Sequence, residues 1–190
     1  MSFNVSLYSI DAIIILDNQQ NRIFTKYYKP PHETPENDLI TNIKKQKQFE
    51  KDLFKKTLKQ NTDIILFDNH TVVYKEYSDT IVYVIGGLSE SEVLLYNVLQ
   101  GLTGAFEIIL SSQLDKRSML ESYDMLVLAI DETVDDGIIL ETDASAIAAR
   151  VTNPPTEDAV NIKIDLSEKG LLNAFNFAKK NISERLQQGF

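Results

Sequence analysis

The stretch from Ser89 to Ser112 limits what this chain of 190 residues can fold into more than any other segment. Ser89-Glu90-Ser91-Glu92 reads as a capping box, in which the Ser89 hydroxyl accepts from the third helical N–H and Glu92 reaches back. At about 100° per residue, Leu95, Leu99, Leu102, Phe106 and Ile109 of the helix that follows fall on one stripe. Leu94, Val98, Gly101, Ala105 and Ile108 fall on a second stripe beside it. Together the stripes cover roughly half the circumference, whereas a helix lying on one sheet face needs an apolar stripe only slightly over ~100° wide. The second stripe therefore needs cover, either from helices of the same chain or from a partner protein, whose interface would resemble a domain core cut in half. Gly101 and Ala105 would permit close approach there.

The segments on either side supply a sheet. Ile10–Leu16 is β-branched, ends at Asp17-Asn18 and reads as a buried strand, with Arg22–Tyr28 as its hairpin partner. Pro30-Pro31 ends the hairpin, and Thr34 before Pro35 resembles a helix start. The spacing predicts a lysine-rich helix over 36–60, then strands over Asp63–Phe67, Thr71–Tyr77 and Thr80–Ile85, the last broken by Gly86-Gly87. After the long helix, another is expected over Lys116–Val134, with Leu120, Tyr123, Val127, Ile130 and Val134 inward and Met125 and Leu128 off that stripe. Asp135-Asp136-Gly137 is a turn, and Thr142-Asp143 caps a short helix to Arg150. The fold class is α+β: a five-stranded antiparallel sheet flanked by helices over residues 1–150. Asn153-Pro154-Pro155-Thr156 reads as a linker into a tail over 151–190. The tail carries a terminal amphipathic helix with Leu171, Phe175, Ala178, Ile182 and Leu186 on its main stripe and Leu172 and Phe177 off it.

Chemistry is sparse. With no cysteine, there is no disulfide framework, thiolate nucleophile or Cys-ligated zinc site. The two histidines, His32 and His70, sit in a Pro-rich loop and a tight turn and read as solvated. Gly86-Gly87 follows a strand and precedes a helix but lacks either phosphate-loop pattern, and Glu90 and Glu92 would repel phosphate. Asp131, Glu132, Asp135, Asp136, Glu141 and Asp143 form an acidic cluster without the EF-hand pattern, and they read as a solvated helix end and turn. No enzyme activity, cofactor or metal is expected. A net charge of -9 disfavours phosphate backbones and strong unaided binding to anionic membranes. The start lacks a signal-peptide pattern, and runs such as Ala12–Leu16 and Met125–Ile130 are too short to span a bilayer, so a cytosolic protein is expected. Lys44, Lys47, Lys51 and Lys55 share one helix face: a solvated surface, or one that meets an acidic partner or anionic lipid.

Three segments carry a family resemblance: 7–18 (LYSIDAIIILDN), 48–57 (QFEKDLFKKT) and 128–143 (LAIDETVDDGIILETD), joined by Thr71–Lys75 and Tyr83–Gly86. Over about residues 5 to 150 the chain resembles the clathrin-adaptor small chains of longin-like fold, and among them the zeta subunits of coatomer, the COPI coat. The resemblance implies a non-catalytic coat subunit in a tight pair with the large gamma subunit, alongside the other coatomer subunits. It implies recruitment through an Arf-type small GTPase, and a place on Golgi membranes and coated vesicles in retrograde and intra-Golgi transport. Related small chains help bind dileucine signals beside the long helix, but the matching edge here, Tyr77-Ser78-Asp79-Thr80, is more polar than such a pocket wants. A longin-type regulator of SNARE or tethering machinery is the alternative, though the Pro-rich linker and single tail helix provide no heptad motif or anchor. The partner interface is expected at Leu94, Val98, Gly101, Ala105, Ile108, Met125, Leu128, Leu172 and Phe177.

Overall fold

The computed structural model describes residues 6–29, 38–58, 60, 62–111 and 113–152. The Pro30–Pro35 turn, His32, the linker and the tail with Leu172 and Phe177 lie outside the described residues.

Strands β1 (Ala12–Asp17), β2 (Arg22–Tyr27), β3 (Ile64–Phe67), β4 (His70–Glu76) and β5 (Thr80–Gly87) form one antiparallel sheet in the order β2-β1-β5-β4-β3. The central strands β1 and β5 are apolar on both faces, as their unbroken β-branched runs demand, and every residue of β1 is buried. Alternation sends Ile14, Leu16, Tyr83 and Ile85 to one face and Ile13, Ile15, Val82 and Val84 to the other. β5 runs through Gly86 and Gly87, which pair with Thr71 and His70, so the glycines do not end the strand. Gly86 instead leaves room for Ser9 and the Leu95 side chain.

The first face takes α2 (Ile43–Thr57) through Phe49, Leu53 and Phe54. The expected single helix is divided at Asn42, whose Oδ1 accepts from the N–H groups of Lys44 and Lys45, and α1 (Asp38–Thr41) precedes it. Polar links anchor α2 to the sheet. Arg22 forks onto the buried Glu50 carboxylate at 2.6 and 2.7 Å, which also accepts from the Tyr27 hydroxyl. The Thr57 and Tyr83 hydroxyls share a bond of 3.0 Å.

The second face takes α3 (Glu92–Leu110), α4 (Lys116–Glu121), α5 (Tyr123–Thr133) and α6 (Ala144–Thr152). The α3 cap is Ser91, accepting from the Leu94 N–H, two residues later than the capping-box reading. Gly87–Glu90 is taken up by a turn closed by the Glu90 N–H on the Gly87 carbonyl. The helix expected over 116–134 breaks at Ser122 into α4 and α5. Between α5 and α6 lies a small hairpin, β6 (Val134–Asp135) and β7 (Ile138–Ile139), turning at Asp136 and at Gly137, whose φ of +86° suits glycine. His70 begins β4, half-buried with its ring edge on Phe49, rather than standing solvated in the turn.

The loop between α3 and α4 is held to the sheet by a polar seam. Thr80 Oγ1 donates to the Leu114 carbonyl, and Asp79 Oδ1 accepts from the Lys116 N–H. The buried Asp17 carboxylate accepts from Lys116 Nζ at 2.8 Å, the Asn21 side-chain amide, and the Asn21 and Gln19 N–H groups. Burial alone pushes the Asp17 carboxyl up, but Lys116 and the three other donors outweigh it and bring the group from 3.8 down to about 2. A depressed carboxylate stabilises the fold fully above its unfolded value and less as pH falls toward the folded one. The contribution is about 2 kcal/mol at neutral pH, draining between roughly pH 4 and 2. Lys116→Met is expected to cost about 1 kcal/mol near pH 7 and well under half of that near pH 2, where Asp17 is protonated in the unfolded chain and already about half protonated in the folded one, as read by urea unfolding at the two pH values.

Candidate partner-binding surface

Most of the second stripe of α3 is covered by this chain. Val98, Gly101 and Ala105 are buried, and this overturns the expectation that a partner meets them. The cover is the segment leading into α6 together with that helix, whose start is capped by Asp143 Oδ1 on the Ala146 N–H. The reason is Gly101. A methyl group built there would fall 2.8 Å from the Thr142 carbonyl carbon and nearer still to its oxygen, so the Thr142 backbone lies directly on the α3 backbone. Gly104 receives the Ala144 methyl in the same way. The close approach anticipated for the small residues exists, but within the chain.

The cover is short. The nine residues of α6 span about 13 Å, against about 28 Å for the nineteen of α3. Leu94 and Ile108, fourteen residues apart near the two ends of α3, are about 21 Å from each other along the axis. They stay 37% and 49% exposed. Val93, next to Leu94, is exposed too and lines a shallow hollow with Tyr96 and Ile64 of the edge strand β3.

Ser122 divides the expected helix, but its N–H on the Ser118 carbonyl and the Leu126 N–H on its own carbonyl carry the helical phase across, and the side of 116–134 that is inward is not the expected one. Met119 of α4 and Leu126, Ala129, Ile130 and Thr133 of α5 are buried, whereas Leu120 and Tyr123, expected inward, are exposed. Met125 and Leu128 face outward at 37% and 52% exposure, beside the acidic residues Asp124, Asp131 and Glu132. Sequence reasoning put Leu120 and Tyr123 inward because it took the stripe of 120, 123, 127, 130 and 134, whereas the neighbouring stripe of Met119, Leu126, Ile130 and Thr133, at the same spacing of about 100° per residue, faces the core. Asp115 and Ser118 close a cap at the start of α4, Ser118 donating both N–H and hydroxyl to the Asp115 carboxylate.

Four of the six acidic residues of the cluster have partners. Asp131 pairs with Lys26, Glu132 and Glu141 with Arg150, and Asp143 caps α6. The described residues contain no group of three or more His, Cys, Asp or Glu placed to hold a metal. The edge Tyr77-Ser78 borders an open hollow with Glu107, Gln113 and Leu114, where Glu107 and Gln113 add polar groups to the wall.

A sheet covered by one helix on one face and by a long apolar helix with its successors on the other is the adaptor small-chain arrangement. The model of the clathrin adaptor complex small chain family matches residues 9–157, and the chain belongs to that family. A chain in a homology model of the full-length AP-3 complex in a stretched open conformation shares the fold, with TM-score 0.56 at 16% identity over 84% of this chain and 98% of that one.

Among individual relatives, coatomer subunit zeta of Saccharomyces cerevisiae is 48% identical over 98% of each chain. Coatomer subunit zeta-1 of Oryza sativa subsp. japonica is 37% identical over 94% of this chain and 96% of its own. The human zeta-1 subunit is 42% identical over 77% and 78%. The chain is accordingly an adaptor-like coat component of the coatomer zeta type.

Gly101→Ala tests the self-covered stripe by its sign. Helix propensity alone favours alanine by about 1 kcal/mol, whereas overlap with the Thr142 backbone costs about 1–3 kcal/mol. Thermal unfolding is expected to show net destabilisation; a rise in Tm would mean that the helix is not pressed against Thr142.

Proposed function

We propose that the chain is a non-catalytic structural subunit of a COPI-type vesicle coat, paired with the large gamma subunit in the coat's adaptor-like half. In this reading it stands with the other coatomer subunits in Golgi-to-ER retrograde and intra-Golgi transport. It is cytoplasmic and reaches the cytosolic face of Golgi membranes and vesicles through the coat, recruited indirectly by an Arf-type small GTPase. The near full-length likeness to coatomer zeta chains supports the assignment.

One observation carries the physical side: apolar side chains on α3, α4 and α5 point away from the core of this chain. These are Leu94 and Ile108 beyond the reach of α6, and Leu120, Tyr123, Met125 and Leu128 on the outer side of α4 and α5. Isolated exposed leucines are ordinary, but several large apolar residues on successive helices are what a permanent interface leaves bare when its partner is absent. The acidic residues beside Met125 and Leu128 supply a polar rim.

Met125→Asp and Leu128→Asp each place a carboxylate on that outer face without touching the buried residues of α5. Burying one unpaired charge in an interface costs several kcal/mol, so each variant should lose about a hundredfold or more in affinity for the stoichiometric partner while unfolding like the wild type. Co-purification with partner identification reads both. Unchanged recovery of the partner would remove α5 from the interface, and recovery of no large coat subunit at all would overturn the coat reading.

A further inference from the structure

Helix α2 carries a feature that partner packing does not absorb. Lys44, Lys47, Lys51 and Lys55 are all exposed, and at about 100° per residue they form one line roughly opposite the buried Leu53 side. The line therefore points straight away from the sheet, and exposed Leu58, the C-cap residue, continues it. Among the described residues, Lys44, Lys47 and Lys51 have no ion-pair partner, and Lys55 has only Asp52, 3.7 Å away across one turn. The other carboxylate of the helix, Glu50, is buried beneath Arg22.

The charge of the chain is thus divided. Its net value is -9, yet one face of the sheet presents a lysine line, while Asp131, Glu132, Asp135 and Asp136 belong to the elements beyond the opposite face. A hollow beside the line is lined by Lys45, Gln48, Phe49, Asp52, Lys56 and Phe67 among others, and none of the four lysines of the line belongs to its lining. All four cations are lysine. Arginine's planar fork suits bidentate recognition of a particular carboxylate or phosphate; lysines on flexible stems suit a diffuse plane of negative charge.

We infer that this face of α2 docks against the headgroup plane of an anionic membrane and sets which side of the subunit faces the bilayer. The inference rests on the coat reading for bringing the subunit to a membrane. The overall negative charge makes the contact weak and orienting rather than an anchor, because repulsion from the rest of the chain opposes it.

The test uses the full chain and flotation with phosphatidylcholine vesicles, with and without phosphatidylserine, at low and high salt. The wild type should prefer phosphatidylserine vesicles at low salt and lose that preference at about 0.5 M salt, where charges are screened within a few ångströms. Lys44→Glu with Lys47→Glu should lower binding by about tenfold or more, whereas Lys75→Glu with Arg117→Glu, equal in net charge but on other elements, should lower it far less. Equal losses in the two pairs, or no lipid preference in the wild type, would overturn the proposal. So would unchanged vesicle binding by the Lys44/Lys47 variant together with loss of a co-purifying acidic protein, which would assign the line to a protein partner. Failure of the coat reading would appear separately, in the partner recovered with the wild-type chain.

Discussion

The contact between the α3 backbone at Gly101 and the chain at Thr142 decides how much of this molecule is core and how much is surface. A helix apolar over half its circumference cannot be satisfied by a sheet alone, and here the satisfaction comes from both sides: β4 and β5 beneath, and α5 and α6 alongside. Only a residue without a side chain lets α6 and its leading turn come near enough to bury Val98 and Ala105 completely. Because α6 is less than half as long as α3, the same contact leaves Leu94 and Ile108 open. The chain thus completes its own core and still presents apolar residues to a partner. A second polypeptide is not needed to enclose the centre of α3.

The two faces of the sheet have different tasks. The face with α3 to α6 holds the larger apolar cluster, and its helices carry the outward leucines and Met125. The other carries α2, fastened by the buried Arg22–Glu50–Tyr27 group and the Thr57–Tyr83 hydroxyl pair, with Lys44, Lys47, Lys51 and Lys55 facing outward. A buried ion pair adds little net stability, since desolvation offsets attraction, but it penalises any shift of α2 that would separate the charges. The orientation of the lysine line is therefore fixed to the sheet rather than carried on a loop.

The strands were legible in the sequence because their β-branched runs and turn residues agree with one another, as at Ile10–Leu16 and at Asp135-Asp136-Gly137. The α+β class and the five-stranded sheet follow from that agreement. The helix errors have separate causes, a break not read at Asn42 and the wrong apolar stripe taken over 116–134. Asn42 and Ser122 both begin new helices, and Leu120 and Tyr123 stay outside the core because the neighbouring stripe of Met119, Leu126, Ile130 and Thr133 takes their place. Gly101 and Ala105 were recognised as a place of close approach, yet periodicity along one helix cannot tell whether a neighbour comes from the same chain. That depends on where residues 142–152 return, a tertiary fact. Leu94, Ile108, Met125 and Leu128 are exposed, which leaves them available to a partner; Val98, Gly101 and Ala105 are not.

Amide hydrogen exchange on the chain alone and in complex with its stoichiometric partner measures this division directly. Protection along α3 around Gly101 should already be high in the free chain and change little on binding, because the Thr142 segment and α6 cover it, while α4, α5 and the ends of α3 should gain protection. A large gain centred on Gly101, with none at α4 and α5, would mean that the partner rather than α6 closes the second stripe.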